Sequence, residues 1–140
     1  MQLADTNAVS ELMRQQPDRA LLAWMDGVDA RGERLAVSAV TVDEIVFGLA
    51  RRPNPAKQAW FARFLASYAV LDVTEPIARR AGEMRAAFSL RGQVRSQPDM
   101  LIAATAQIHA LTLVTRNVRD FEGCGIAVLN PFNPFSPFTS

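Results

Sequence analysis

Residues 96–121 read SQPDMLIAATAQIHALTLVTRNVRDF, and this stretch decides the fold. SQPDMLIAATAQIHA is expected to be a helix, LTLVT from Leu111 a buried strand, and NVRDF from Asn117 a tight turn. GIAVLN from Gly125 is then a final strand. Upstream, Thr74 begins a helix running to about Leu90 with Pro76 in its first turn, and AVLDV from Ala69 is a short strand. Pro55 opens a helix carrying Trp60, Phe61, Phe64 and Leu65. The run Arg51-Arg52-Pro53-Asn54-Pro55 stops the helix that starts at Thr41 with TVDEIVFGLA, because the residue before a proline disfavours helical backbone. Before it lies a strand ending at Ser38. Asp18 is a good N-cap for a helix burying Leu21, Leu22, Trp24 and Met25. Asn7 to Arg14 forms a first helix with Val9, Leu12 and Met13 on one face, and MQLADT is a short strand reaching the surface at Asp5. Trp24, Trp60 and the Phe residues fall at core spacing on helices and read as packing.

Short strands separated by helices of this length imply parallel pairing through right-handed crossovers. The expected fold is α/β, a three-layer α/β/α domain with a central parallel sheet of four or five strands. It should span residues 1–132. The Pro-Phe-rich tail at 133–140 cannot join a sheet, and is either disordered or an extended strap.

Composition sets the frame. A chain of 140 residues with 49% apolar and 21% charged residues suits one globular domain. No apolar run approaches the roughly 18–20 residues that cross a bilayer. MQLADTNAVSEL places an acid at Asp5 and has no basic region before an apolar stretch, so no secretory signal is expected and the cytoplasm is the default. The single cysteine, Cys124, excludes an intramolecular disulfide and a cysteine-based metal site. Net charge is +1. All basic residues except Lys57 are Arg, which reads either as phosphate or carboxylate recognition or as a GC-rich genome.

In open α/β sheets ligands bind at the carboxyl ends of the strands. Asp5 ends the first strand, Glu44 lies in the first turn or so after the second, Asp99 in the first turn of the last long helix, and Asp120 follows the late strand, with Thr115 and Asn117 nearer its end. Clustered carboxylates raise one another's pKa unless a cation neutralises them. Oxygen-only donors without Cys or His suit Mg2+ or Mn2+, which can acidify a bound water and clamp a phosphate oxygen. The chemistry implied is phosphodiester hydrolysis. Three of the acids also have structural readings. Thr41-Val-Asp-Glu44 and Ser96-Gln-Pro-Asp99 have capping-box spacing, and Asp120 suits a turn. Asp5 serves no evident core purpose.

Taken together, LADTNAVSEL from Leu3, LAVSAVTVDEIVFGL from Leu35, QPDMLIAATAQIHALTLVTRNVRDF from Gln97 and GIAVLNPF from Gly125 resemble the PIN-domain ribonucleases, in particular the VapC-type and FitB-like bacterial toxins. The resemblance covers residue 3 to about 132. It implies Mg2+- or Mn2+-dependent endoribonuclease activity, a homodimer or toxin–antitoxin hetero-oligomer, and neutralisation by a cognate antitoxin protein. By the same resemblance Asp5 and Asp99 are metal ligands, and Glu44 and Asp120 complete the acidic set through waters. Asn117 and Thr115 support them. The segment Leu90-RGQVRSQPD departs from many relatives: Arg91 and Arg95 there read either as RNA-phosphate ligands or as a solvated loop, and Arg116 and Arg119 raise the same question.

His109 reads as a helix-end residue, Cys124 as an inert thiol and Arg85 as a surface residue. An aspartyl phosphotransferase is disfavoured because Asn7 stands where a second acid is needed and no lysine occurs late in the chain. A non-catalytic PIN-fold module that binds RNA or protein is the alternative from another class. A DNA nuclease would use the same acids, and only contacts to the 2′-hydroxyl would separate the two.

Overall fold

β1 (Gln2–Ala4) is the middle strand of a five-stranded sheet completed by β2 (Leu35–Ser38), β3 (Ala69–Leu71), β4 (Thr112–Val114) and β5 (Val128–Leu129). The coordinates are a computed structural model and describe residues 1–132, so the tail expected at 133–140 lies outside the described residues. The order across the sheet is β3-β2-β1-β4-β5, with every neighbouring pair parallel. The chain runs from β1 outward to β3 and then returns past β1 to β4. The order therefore reverses between β1 and β4, the kind of switch point at whose carboxyl ends doubly wound sheets bind their ligands.

Six α-helices accompany the sheet among the described residues: α1 (Thr6–Leu12), α2 (Arg19–Ala30), α3 (Ala39–Arg51), α4 (Pro55–Ser67), α5 (Glu75–Leu90) and α6 (Gln97–Ile108). Their starts follow local chemistry. Asp18 accepts from Leu21 N–H at 3.0 Å, Asn54 from Lys57 N–H at 3.1 Å, and Ser96 from Asp99 N–H at 3.2 Å. One expected start is wrong. α3 begins at Ala39, capped by Ser38, whose hydroxyl accepts from Val40 N–H at 3.0 Å. Thr41 is therefore inside the helix and does not cap it.

The central strands β1, β2 and β4 are largely buried on both faces because helices cover both, while the edge strand β3 is mostly exposed. Leu3 stands beside Ala36 and Leu113 in register, and these three join Ile77, Ala81, Met84 and Phe88 of α5 and the Ala-rich α6 in one core. Ala4, Leu35 and Val37 face the other way, into Ala8, Val9 and Leu12 of α1, Leu21 and Met25 of α2, Ile45 of α3, and Phe61 and Phe64 of α4. The period of two in the strands thus sorts side chains into two helical layers. Trp60 stacks on Phe64 with centroids 5.1 Å apart, as its spacing suggested. Phe47 does not pack: it is 60% exposed, with Arg51 over its ring.

α6 ends in a paired motif, with Leu111 N–H bonded to Ala106 O at 2.8 Å and Ala110 N–H to Gln107 O at 3.2 Å. The motif demands a left-handed residue, and Ala110 occupies it at φ 54°. Ala110→Gly is expected to stabilise the fold by about 0.5–1 kcal/mol in denaturant unfolding, since Gly escapes the Cβ clash but is more disordered when unfolded. Leu113→Ala, at a fully buried position, should cost about 2–5 kcal/mol, while Phe47→Ala should change stability by no more than about 0.5 kcal/mol.

Candidate active site

Asp5 follows β1 directly and is the N-cap of α1, with φ −79° and ψ 173°. Its Oδ1 accepts from Ala8 N–H at 2.9 Å, and its Oδ2 accepts a short hydrogen bond from Thr115 Oγ1, just beyond β4. Asp5 therefore does have a structural purpose, contrary to the expectation that none was evident: it caps a helix and ties β1 to β4. Its side chain is nonetheless buried, at 3% exposure. Burial pushes its pKa from 3.8 to about 6, against the lowering effect of the Thr115 and Ala8 hydrogen bonds. The Asp99 carboxylate raises it further and Arg116 lowers it. Desolvation wins over two good hydrogen bonds, so the anion is incompletely compensated by the protein itself.

Thr115 is wholly buried and is fixed from the other side, since its Oγ1 accepts from Asn117 N–H at 2.9 Å. The expected supporting residues Thr115 and Asn117 thus form one chain of hydrogen bonds ending on Asp5.

Glu44 sits on α3, exposed, with Oε1 accepting from Thr6 Oγ1 at 2.6 Å. Thr6 Oγ1 also lies 3.1 Å from the hydroxyl of buried Thr41. With one proton committed to Glu44, Thr6 accepts from Thr41. The capping-box reading of Glu44 fails, because the helix starts two residues before Thr41. Thr6 and Thr41 are the residues that sequence reasoning missed; the only signal was that Thr6 follows Asp5.

Asp99 lies in the first turn of α6, half-buried. Its pKa is raised by burial, lowered by the Ser96 hydrogen bond, and raised by Asp120 and Glu44. Asp120 is exposed on a 3-10 turn, Val118–Phe121. The four acids expected to converge are therefore close enough to act on one another: Asp5 responds to Asp99, and Asp99 to Asp120 and Glu44.

The arginines divide. Arg116 lies with its guanidinium 5.3 Å from the Phe132 ring and acts on Asp5. Arg91 is exposed beside the Phe88 ring, 4.8 Å from its centroid. Arg95 donates to two backbone carbonyls, those of Asp120 and Glu122. Arg85 and Arg119 are exposed. His109 is exposed at the C-cap of α6, and Cys124 is a buried free thiol whose pKa burial raises.

The donors at the site are oxygens. Among the described residues no group of three His, Cys, Asp or Glu side chains closes round a metal position. Carboxylates that repel one another, one of them buried and hard to ionise, fit a hard divalent cation that keeps part of its water shell. Among the described residues no helix is long and apolar enough to cross a membrane.

The pattern of the PIN domain family matches residues 3–123. VapC ribonuclease Y4jK of Sinorhizobium fredii is 36% identical over 96% of this chain and 99% of its own length. Among solved structures, FitAcB from Neisseria gonorrhoeae superposes with a TM-score of 0.81 at 33% identity, covering 94% of this chain and 98% of that one. A toxin–antitoxin complex from Klebsiella pneumoniae does so with a TM-score of 0.72 at 27% identity, covering 95% and 99%. With its parallel sheet, its acids at the carboxyl ends of the strands and these likenesses along nearly its whole length, the chain belongs to the PIN-domain family.

Proposed function

We propose that this chain is a metal-dependent endoribonuclease that hydrolyses RNA phosphodiester bonds and serves as the toxin of a toxin–antitoxin pair. The observation that carries the reading is the Asp5 carboxyl, buried, gripped by Thr115 and Ala8, and still raised to about 6 with Asp99 beside it. A fold does not leave an anion so poorly compensated without cost unless a cation is its partner. The VapC ribonuclease likeness supports RNA as substrate, and the Klebsiella complex supports an antitoxin partner.

Asp5 and Asp99 would hold Mg2+ or Mn2+, with Glu44 and Asp120 acting through waters. Bound there, the ion would acidify a water and neutralise charge on the phosphate. The chain's own contribution is placement. Thr115, set by Asn117, fixes the Asp5 carboxylate, and the Thr41–Thr6 pair fixes Glu44. Arg116, lying over Phe132 beside the acids, and the exposed Arg91 are suited to hold RNA phosphates.

A groove of about 440 Å³ opens beside Glu44 between α1, α3 and α4, floored by Met13, Ile45 and Leu49 and rimmed by Arg52 and Lys57. Its apolar floor suits the face of a partner helix, and we place the antitoxin segment there. Assembly as a homodimer or a toxin–antitoxin hetero-oligomer and a cytoplasmic location complete the reading.

The test is cleavage of RNA by purified wild-type protein and by Asp5→Asn, each with Mg2+, Mn2+ or EDTA, after matched circular dichroism. Wild type should cut only with metal, and Asp5→Asn should be slower by about 100-fold or more. Equal cutting by both proteins would sink the mechanism. Absence of both cleavage and metal binding in the wild type would mark a non-catalytic binding module.

The same variant gives an opposite effect on stability. Between pH 3.8 and about 6 the folded metal-free chain keeps the Asp5 proton that the unfolded chain releases. Stability is therefore greatest below this window and is lost as pH rises through about 6. Asn at this position can still cap α1 and carries no charge. Asp5→Asn should gain on the order of 2 kcal/mol at pH 7 without metal, and should flatten the stability profile between pH 4 and 7. Urea unfolding across that range is the measurement, and a variant less stable than wild type at pH 7 would contradict the assignment.

A further inference from the structure

The 3-10 turn carrying Asp120 is only loosely held by its own backbone. Asp120 N–H reaches Asn117 O at 3.1 Å, while Glu122 N–H to Arg119 O and Cys124 N–H to Phe121 O both measure 3.3 Å, beyond the usual range for such bonds. The shorter bonds come from outside the turn. Arg95 Nη1 donates to Asp120 O at 2.7 Å and Arg95 Nη2 to Glu122 O at 3.0 Å, and a cationic donor strengthens both. The guanidinium lies 3.9 Å from the centroid of the buried Phe88 ring. Gly123, left-handed at φ +78°, packs its backbone against that ring; a Cβ there would meet Phe88 at 3.4 Å. Phe88 is thus a common floor for the arginine and the turn.

Arg95 is in the connection between α5 and α6, four residues before Asp99. Its forked donors join the segment that leads into one acid to the turn that carries another. Two of its five N–H donors are committed to these carbonyls and its terminal nitrogens also face Cys124 Sγ at 4.0 Å and Gln93 Oε1 at 3.5 Å, so a forked grip on a phosphate would have to break the clamp. We infer that Arg95 is a positioning residue, which sets Asp120 relative to Asp99 and does not bind RNA phosphate. The inference rests on the reading of Asp120 as a site acid. Lysine cannot replace it, because an ammonium is a point charge that neither forks to two carbonyls nor lies flat on a ring.

The experiment uses the full chain as wild type, Arg95→Lys, Arg95→Met, Asp120→Asn and the Arg95→Lys/Asp120→Asn double variant. Hydrogen–deuterium exchange is read over residues 118–124, with metal-dependent RNA cleavage at several salt concentrations. Both Arg95 variants should exchange faster in that segment alone. They should lose kcat by about 10- to 100-fold, as expected for a misplaced group, with KM and its salt dependence unchanged. Arg95→Lys should add nothing to the loss caused by Asp120→Asn. Arg95→Lys carries the test if Arg95→Met does not fold. Unchanged exchange at 118–124 overturns the inference whatever the activity does. So does wild-type kcat in Arg95→Lys combined with a raised, less salt-dependent KM in Arg95→Met, the signature of a phosphate ligand. If exchange rises but Asp120→Asn cleaves like wild type, the reading of Asp120 fails and the inference falls with it; the exchange data distinguish that failure from a missing clamp.

Discussion

The structure depends on one buried carboxylate. Asp5 leaves β1 with almost no exposure, and its two oxygens are assigned to different elements: one to the first turn of α1, the other to Thr115 after β4. A carboxylate removed from water is costly unless fully compensated, and two hydrogen bonds do not suffice here, since the group's pKa stands near 6. The contact that links β1 to β4 at the reversal point therefore also leaves a poorly compensated carboxyl at the ends of those strands. Fold and site share a single interaction.

The other acids are held in two ways, Glu44 by its carboxylate and Asp99 and Asp120 through the backbone that carries them. Thr6 of α1 reaches across to Glu44 of α3 and is itself met by Thr41. Ser96 anchors the turn that bears Asp99, and Arg95 grips the turn that bears Asp120. The hydroxyls of Thr115 and Thr6 donate to Asp5 and Glu44 without cancelling their charge, leaving the field of those carboxylates intact for a cation. Glu44 and Asp120 are exposed, Asp99 is half-buried and Asp5 is buried.

Much of this was legible in the residues. Asp18, Asn54-Pro55 and Ser96 mark helix starts through side chains that satisfy N–H groups a few residues away, which is local chemistry. The helix–strand–turn rhythm from Ser96 to Phe121 appears as α6, β4 and the 3-10 turn, because the apolar pattern switches period where the backbone does. The readings that failed involved partners far along the chain. Thr41-x-x-Glu44 matched a capping box, yet Ser38 had already started the helix and Thr6, 38 residues before Glu44, holds that carboxylate. Phe47 fell at core spacing, but it lies exposed on α3 with Arg51 over its ring. For Arg95, read either as a phosphate ligand or as part of a solvated loop, the partners are carbonyls 25 and 27 residues later.

By itself the sequence determined the alternation of strands and helices, the parallel α/β class, the limits of most helices and the identity of four widely separated acids, since periodicity, caps and prolines act over a few residues. Only the tertiary structure decided that β1 lies beside β4, that Thr115 meets Asp5 across 110 residues, that Thr6 holds Glu44 beside Thr41, and that Arg95 donates to the backbone of the turn bearing Asp120. Those outcomes depend on which apolar faces bury together and on the fields of distant charges, and neither is encoded in any window short enough to read along the chain.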